Sequence, residues 1–325
     1  LFIDNFSQPD MPPFFNSSNT RFDYNSRENE MTTELIHGTH SKESLGALID
    51  LTRYPIDDSN HPVRTSIVES CRRQLVETGC ARLECFLNPE AVLAMANEVD
   101  ERLALVDRTA DWQNPYLSDD DESLPSGHPV RRFHYRKNAF LCRDRFVEGD
   151  LMDRLFLLME LLKFVRDCLG LTQLYHYADP MSGYLINVQD DGETFPWHFD
   201  TNEFTISAMV QKPEGGGAFE YVPAIRNSES ENYDAVAAVM DGERGNVKAL
   251  PLEPGDLQIF KGRYSLHRVT EVKGQRPRYT AIFGYSEQPG VISKASRKLK
   301  LFGRCLDAHL EAETHRPVRA DNLRD

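Results

Sequence analysis

The chain has 325 residues, with 37 Lys and Arg against 51 Asp and Glu, a formal net charge of −14. That length allows one large domain or two ordinary ones. The acidity speaks against a nucleic-acid partner held by counterion release, and no apolar run reaches the roughly 20 residues that span a bilayer.

Residues 1–40 are rich in Asn, Ser and Pro and carry no helical or strand period, so an extended or disordered leader is expected. Its phenylalanines are candidates to dock on the domain or on a second subunit, which keeps a homodimer in view. The first 15 residues include Asp4 and Asp10 and no basic residue, so no secretory signal is expected. Over Pro62–Thr78 the apolar residues Val63, Ile67, Val68, Cys71, Leu75 and Val76 recur at three- and four-residue steps, a helix that Gly79 stops. Ala81–Phe86 reads as a short strand. Asn88 and Pro89 open a second helix running to about Val106. Thr109–Gly127, with the acidic run Asp119–Glu122, reads as a polar loop. Leu151–Leu169 reads as a third helix, amphipathic rather than membrane-spanning, ended by Gly170. Six cysteines at 71, 80, 85, 142, 168 and 305 form no CxxC pair and read mostly as reduced core thiols of a cytoplasmic protein.

After Pro180 the texture changes to short β-rich runs between Gly, Pro and Asp turns: Gly183–Gln189, Trp197–Phe199, Phe204–Gln211, Ala218–Val222, Leu257–Phe260, Tyr264–Val269 and Tyr279–Tyr285. Asn232–Met240 reads as a short helix in an insertion, and Ser293–Cys305 as a basic helical segment. Gly215–Gly217 reads as a hairpin turn, since no Lys-Ser/Thr follows to make a phosphate loop. The outline is α+β: helical support over 41–180, a β-sandwich or barrel over 181–290, and a helical segment over 291–325.

The chemistry concentrates in Phe195-Pro-Trp-His198-Phe-Asp200. His198 and Asp200 are two apart on an expected strand, so their side chains share a face. His267 lies 67 residues later on another expected strand. Two His and one carboxylate on one face form the facial triad of non-haem Fe(II) oxygenases. Arg278 and Thr280 follow, also two apart, and arginine grips a carboxylate bidentately.

His198-x-Asp200, His267 and Arg278-x-Thr280 resemble the Fe(II)/2-oxoglutarate-dependent dioxygenase superfamily. The resemblance covers about Gly183–Gly290 and implies a double-stranded β-helix, or jelly roll. It implies Fe(II) on His198, Asp200 and His267, with 2-oxoglutarate and O2 as co-substrates. It also implies oxidation of an unactivated C–H bond, with succinate and CO2 as co-products. The strings HFDTNEFTISAMVQKPEGGGAFEYVP and FKGRYSLHRVTEVKGQRPRYTAIFGY are similar to a subgroup related to the free-amino-acid radical halogenases. Those have Gly in place of the carboxylate ligand, opening a chloride site. This chain has Asp200, which implies hydroxylation, or oxidative cyclisation or desaturation, over halogenation.

The other candidates each have a plainer reading. Arg276 rivals Arg278 for the co-substrate carboxylate, or is a surface charge. Asn187 is placed where the superfamily bonds 2-oxoglutarate, or is a satisfied sheet residue. Trp197 shields the iron or fills the core. Asn202 and Glu203 border a substrate, a carboxylate there suiting an ammonium, or face solvent. Arg132 and His134 hold a substrate carboxylate from a loop, or make a surface ion pair. The partner expected is a small polar metabolite, a free amino acid or its derivative, with no nucleic acid and no membrane.

Overall fold

The structure, a computed structural model, describes residues 42–313 and 323–324; the expected leader lies outside them. A short helix α1 (Lys42–Gly46) precedes α2 (Pro62–Thr78). Proline suits the first turn of α2, where no backbone N–H is needed. His61 Nδ1 accepts from the Val63 N–H at 3.2 Å, and Gly79 closes the helix at φ 69°. The buried stripe is Val68, Cys71 and Leu75, with Ile67 half-buried; Val63 and Val76 of the expected stripe are exposed. Strand β1 (Cys80–Leu83) and helix α3 (Pro89–Asp100) follow. α3 stops short of the expected Val106, and a 3-10 turn at Leu103–Leu105 carries the chain on.

The next stretch departs most from expectation. β2 (Asp107–Gln113) and β3 (His134–Cys142) pair antiparallel, from Asp107 opposite Phe140 to Gln113 opposite His134. The expected loop from Thr109 therefore begins inside an edge strand. β2 has one neighbour and stays largely exposed, so its composition resembles that of a loop. The helix expected over Leu151–Leu169 is two, α4 (Leu151–Leu157) and α5 (Met159–Leu169). Between them Leu158 takes ψ 113° and buries its side chain, so packing overrides helical continuity there.

The rest of the chain supplies β4 (Tyr175–His176), β5 (Tyr184–Gln189), β6 (Phe195–His198), β7 (Thr205–Gln211), β8 (Gly215–Gly216) and β9 (Phe219–Val222). Helix α6 (Tyr233–Met240) precedes β10 (Lys248–Leu250), β11 (Leu257–Phe260), β12 (Leu266–Val269), β13 (Val272–Lys273), β14 (Arg278–Phe283) and β15 (Tyr285–Ser286). Helices α7 (Ala295–Phe302) and α8 (Asp307–Ala312) complete the described elements.

Two sheets carry the fold. One has seven strands in the order β1-β11-β7-β14-β5-β3-β2, the other four in the order β10-β9-β12-β6. All their pairings are antiparallel. They face each other: the Phe260 ring of β11 lies 5.1 Å from Phe219 of β9 and 4.9 Å from His267 of β12. This is a jelly roll, and the chain is α+β. The region 41–180, expected as helical support, supplies β1, β2 and β3 of the larger sheet as well. Gly215–Gly217 is not a hairpin turn. It lies between β7 in one sheet and β9 in the other, and its β8 pairs with β13. Gly216 has φ 63°, and a Cβ there would strike the Glu271 carbonyl, so the crossing needs glycine.

The two faces of the seven-stranded sheet differ. Outward, Leu141, Ile186, Val188, Ile206, Ile259 and Phe283 join a core with Val68, Leu75, Met95, Leu161 and Phe164 from the helices. Inward, the alternate positions Asn138, Asn187, Gln189, Ser207, Gln258, Arg278 and Thr280 are buried and polar.

Candidate active site

β6 and β12 are neighbours, and their register sets His198 directly opposite His267. The two rings lie 4.1 Å apart between centroids. Each ring is fixed by its own backbone. His198 Nδ1 lies 2.8 Å from the Pro196 carbonyl, and His267 Nδ1 lies 2.9 Å from the Ser265 carbonyl. A carbonyl only accepts, so Nδ1 carries the proton in both and Nε2 presents a lone pair. Burial, followed by the neighbouring His267, pushes the His198 imidazolium down to about 3, so the ring is a neutral donor at any ordinary pH.

Asp200 sits two residues past His198, just beyond the strand. Its Oδ1 lies 3.4 Å from His267 Nε2 and 3.9 Å from His198 Nε2. Its Oδ2 accepts from Thr205 Oγ1 at 2.7 Å. Burial alone would raise the carboxyl; the adjoining His267 and His198 rings and the Thr205 hydroxyl outweigh it and hold the group well below the usual carboxylate range. The ligand atoms of His198, Asp200 and His267 all lie within 4.8 Å of one another, a set that could hold one metal ion. Gly262 seats the carboxylate: a Cβ there would stand 2.6 Å from Asp200 Cγ.

Arg278 is 2 % exposed and has no carboxylate partner among the described residues. Its Nε donates to the Gly217 carbonyl at 3.0 Å. Its Nη1 donates to Gln189 Oε1 at 3.3 Å and to Thr280 Oγ1 at 2.5 Å. Burial pulls its pKa down to about 10, so it stays charged. Beside it, Gln189 Nε2 is buried with no acceptor among the described residues. A buried guanidinium without an anion, next to an orphaned amide donor, fits an incoming carboxylate. Gly217 packs under the arginine: a Cβ there would stand 3.0 Å from Arg278 Cδ.

The remaining candidates divide. Arg276 is exposed in the bend before β14 and does not reach the interior. Asn187 stands opposite Thr280 in register, and its Oδ1 accepts from Asn138 Nδ2 at 3.2 Å. Trp197 alternates with His198 and points the other way, into a cluster with Tyr116, Phe199 and Val222, under Arg268 at 4.6 Å. Arg132 makes an ion pair with Asp241 at 2.7 Å. His134 is the first residue of β3, not a loop residue, and its Nε2 is buried without a partner among the described residues. Asn202 lines the cavity beside the triad. Glu203 is exposed and accepts from Tyr264 Oη at 3.0 Å; its hydrogen bond to Glu287 pushes that carboxyl up to about 7.

Sequence reasoning missed Thr205, Gln189, Gly262 and Gly217, which position Asp200 and Arg278. It also missed Arg136. This side chain is 1 % exposed, donates to Asn138 Oδ1 and to Thr109 Oγ1 at 2.9 Å, and has no carboxylate within ion-pair distance among the described residues. Gln189 and Thr205 were findable, since each lies at an inward position of its strand. Arg136 was hidden because β3 was not recognised.

The halogenase D family matches residues 63–300, well over half of the sequence. The chain belongs to the halogenase D family. With this membership, the jelly roll, the His–Asp–His set and the unpaired buried arginine make it a non-haem Fe(II)- and 2-oxoglutarate-dependent oxygenase. No curated protein matches it. Several solved structures are similar. A Pseudomonas putida prolyl-4-hydroxylase is 16 % identical at a TM-score of 0.43, over 67 % of this chain and 98 % of its own. The epimerase SnoN from nogalamycin biosynthesis is 13 % identical at 0.47, over 69 % and 84 %. A 2OG-Fe(II) oxygenase family oxidoreductase from Burkholderia pseudomallei is 14 % identical at 0.44, over 68 % and 91 %. No helix among the described residues is long and apolar enough to cross a membrane.

Proposed function

We propose that the chain oxidises an unactivated C–H bond of a small amino-acid-type metabolite, by hydroxylation or by oxidative ring closure or desaturation. In this reading His198 Nε2, Asp200 Oδ1 and His267 Nε2 hold Fe(II), and Arg278 with Thr280 holds the far carboxylate of 2-oxoglutarate. Asn187 and Gln189 offer further polar contacts along that molecule. Together Fe(II) and 2-oxoglutarate supply the oxidising power from O2, with succinate and CO2 as co-products. The protein's own part is to keep both imidazoles aimed and to hold Asp200 ionised.

One observation carries the reading: a buried, unpaired Arg278 shares the sandwich interior with the His–Asp–His set. A jelly roll that merely stored metal would have no need of that arginine. The carboxylate of Asp200, seated against Gly262, supports oxygen insertion over halogenation despite the family's name. A halide would need the position that this carboxylate fills. A cavity of about 160 Å3 beside the triad supports a small metabolite over a peptide, being below the ~300–1,000 Å3 usual for drug-sized ligands. The test is an amino-acid panel with Fe(II), 2-oxoglutarate, O2 and chloride, read by mass spectrometry. A product gaining one oxygen atom, or losing two hydrogens, supports the reading. A chlorinated product would overturn it.

A further inference from the structure

The three residues of the His–Asp–His set are not held in the same way. His198 and His267 stand on β6 and β12, opposite each other in register, so the strand ladder fixes both. Asp200 lies past the end of β6, outside that ladder. Its place depends on other holds along Phe199–Thr201. Hydrogen bonds hold the backbone. The Phe199 N–H donates to the Pro115 carbonyl at 2.8 Å, and the Asp200 N–H donates to the Gly262 carbonyl at 3.2 Å. Arg263 Nη1 donates to the Thr201 carbonyl at 3.2 Å.

A further hold is on the Phe199 side chain. The Arg226 guanidinium lies 3.9 Å from the centre of that ring, stacking distance for a flat cation. Arg226 is buried, and its Nε donates to the carbonyl of Arg263 at 2.7 Å. Arg263 is the neighbour of Gly262, which seats the Asp200 carboxylate. Arg226 Nη1 donates to Glu231 Oε2 at 2.8 Å and to the carbonyl of Arg324 at 3.1 Å. The Arg324 N–H in turn donates to Glu231 Oε1. Leu323 beside it is buried. The backbone of residue 324 thus bonds both members of a buried ion pair, from 98 residues further along the chain. Its side chain makes only a part-exposed pair with Asp121 at 3.2 Å.

We propose that Arg226 is a positioning residue for the metal-ligand segment, and that Leu323 and Arg324 lock it in place. The inference rests on the functional reading above and adds to it residues that act through Phe199. Arginine suits the task because it offers a flat face to Phe199 and a fork of donors to three acceptors at once. Lysine carries the charge without the face or the fork. When the backbone bonds of residue 324 are lost, Nη1 loses an acceptor and Glu231 loses a donor, so the guanidinium is less firmly held on the ring.

The test is anaerobic Fe(II) titration of the full-length protein, paired with amide hydrogen exchange of the metal-free protein. Arg226→Met is expected to weaken Fe(II) binding about 10–100-fold, the range for a lost partner behind a metal ligand. Arg324→Pro removes the N–H bonded to Glu231 and leaves every core residue in place, so it serves even where Arg226→Met does not fold. It should weaken Fe(II) binding about tenfold. In both variants exchange should quicken at Phe199 and Asp200 and stay level in β5 and β14, a split that a general loss of stability would not give. Arg226→Lys keeps a charge beside Glu231, and should recover the stability lost in Arg226→Met but not the Fe(II) affinity. Unchanged Fe(II) affinity in Arg324→Pro, full affinity in Arg226→Lys, or quickened exchange throughout both sheets overturns the inference. His198→Ala reads the underlying function separately. Fe(II) binding that survives His198→Ala would sink that function. Binding that His198→Ala abolishes and Arg324→Pro leaves untouched would sink only this inference.

Discussion

The two faces of the seven-stranded sheet come from the same strands and obey different rules. Outward, Ile186, Val188, Ile206 and Phe283 meet the helices in an ordinary apolar core. Inward, one residue away at each step, Asn187, Gln189, Ser207 and Arg278 are equally buried and polar. An apolar face contributes stability through area removed from water. A polar buried face costs desolvation and returns it only where hydrogen bonds or a ligand complete it. The unpaired Gln189 Nε2 and the carboxylate-free Arg278 show that the inward face is incomplete by itself. The outward face holds the fold, and the inward face holds the ligand.

That contrast can be broken from either side. Phe283→Ala on the outward face should cost about 3–5 kcal/mol of stability by leaving a cavity. Urea denaturation checks it, and the KM for 2-oxoglutarate in the surviving folded protein should barely move. Asp179→Ala should cost a similar ~3–5 kcal/mol, since it strands Lys298 and His309 in the interior. Burial pushes the Asp179 carboxyl up, but His309, Lys298 and backbone N–H groups outweigh that and hold it well below the usual range. A depressed carboxyl contributes stability that is present above its unfolded pKa of about 3.9 and is lost as pH falls through that value towards the folded one. The wild type should therefore lose stability below about pH 4, and Asp179→Asn should flatten that limb of a Tm-against-pH profile.

Inward substitutions should reverse the pattern. Arg278→Met should raise the KM for 2-oxoglutarate about a hundredfold, within the ~2–5 kcal/mol of a lost buried charge contact. Its Tm should stay level or rise, because an unpaired buried charge is gone. Arg276→Ala, on the exposed bend, should change neither. Gly262→Ala should weaken Fe(II) binding by about 10–100-fold by displacing the Asp200 carboxylate, and Thr205→Val by about tenfold through its lost hydrogen bond. Both are read by anaerobic metal titration.

Much of this was legible in the sequence, for reasons that differ by residue. His198, Asp200 and His267 stood out because their side-chain chemistry is rare in that spacing, and strand periodicity needs no tertiary knowledge. Helix α2 was legible because its stripe at Val68, Cys71 and Leu75 carries its own period. β2 and β3 were not. β2 is an edge strand with polar exposed residues, and β3 hides its alternation because both faces are covered from Asn138 onward. With β3 unseen, Arg136 had no place, and Arg132 was considered instead. Gly262 and Gly217 carry no chemistry of their own. Their roles appear only when Asp200 and Arg278 are seen packed against them.

The central claim is that the inward face and the His–Asp–His set form one Fe(II)- and 2-oxoglutarate-dependent site. Succinate release in the presence of Fe(II), 2-oxoglutarate and O2, compared between wild type and His198→Ala, tests it most directly. The account predicts release by the wild type that a chelator abolishes, and background release by the variant. Full turnover by His198→Ala would contradict it.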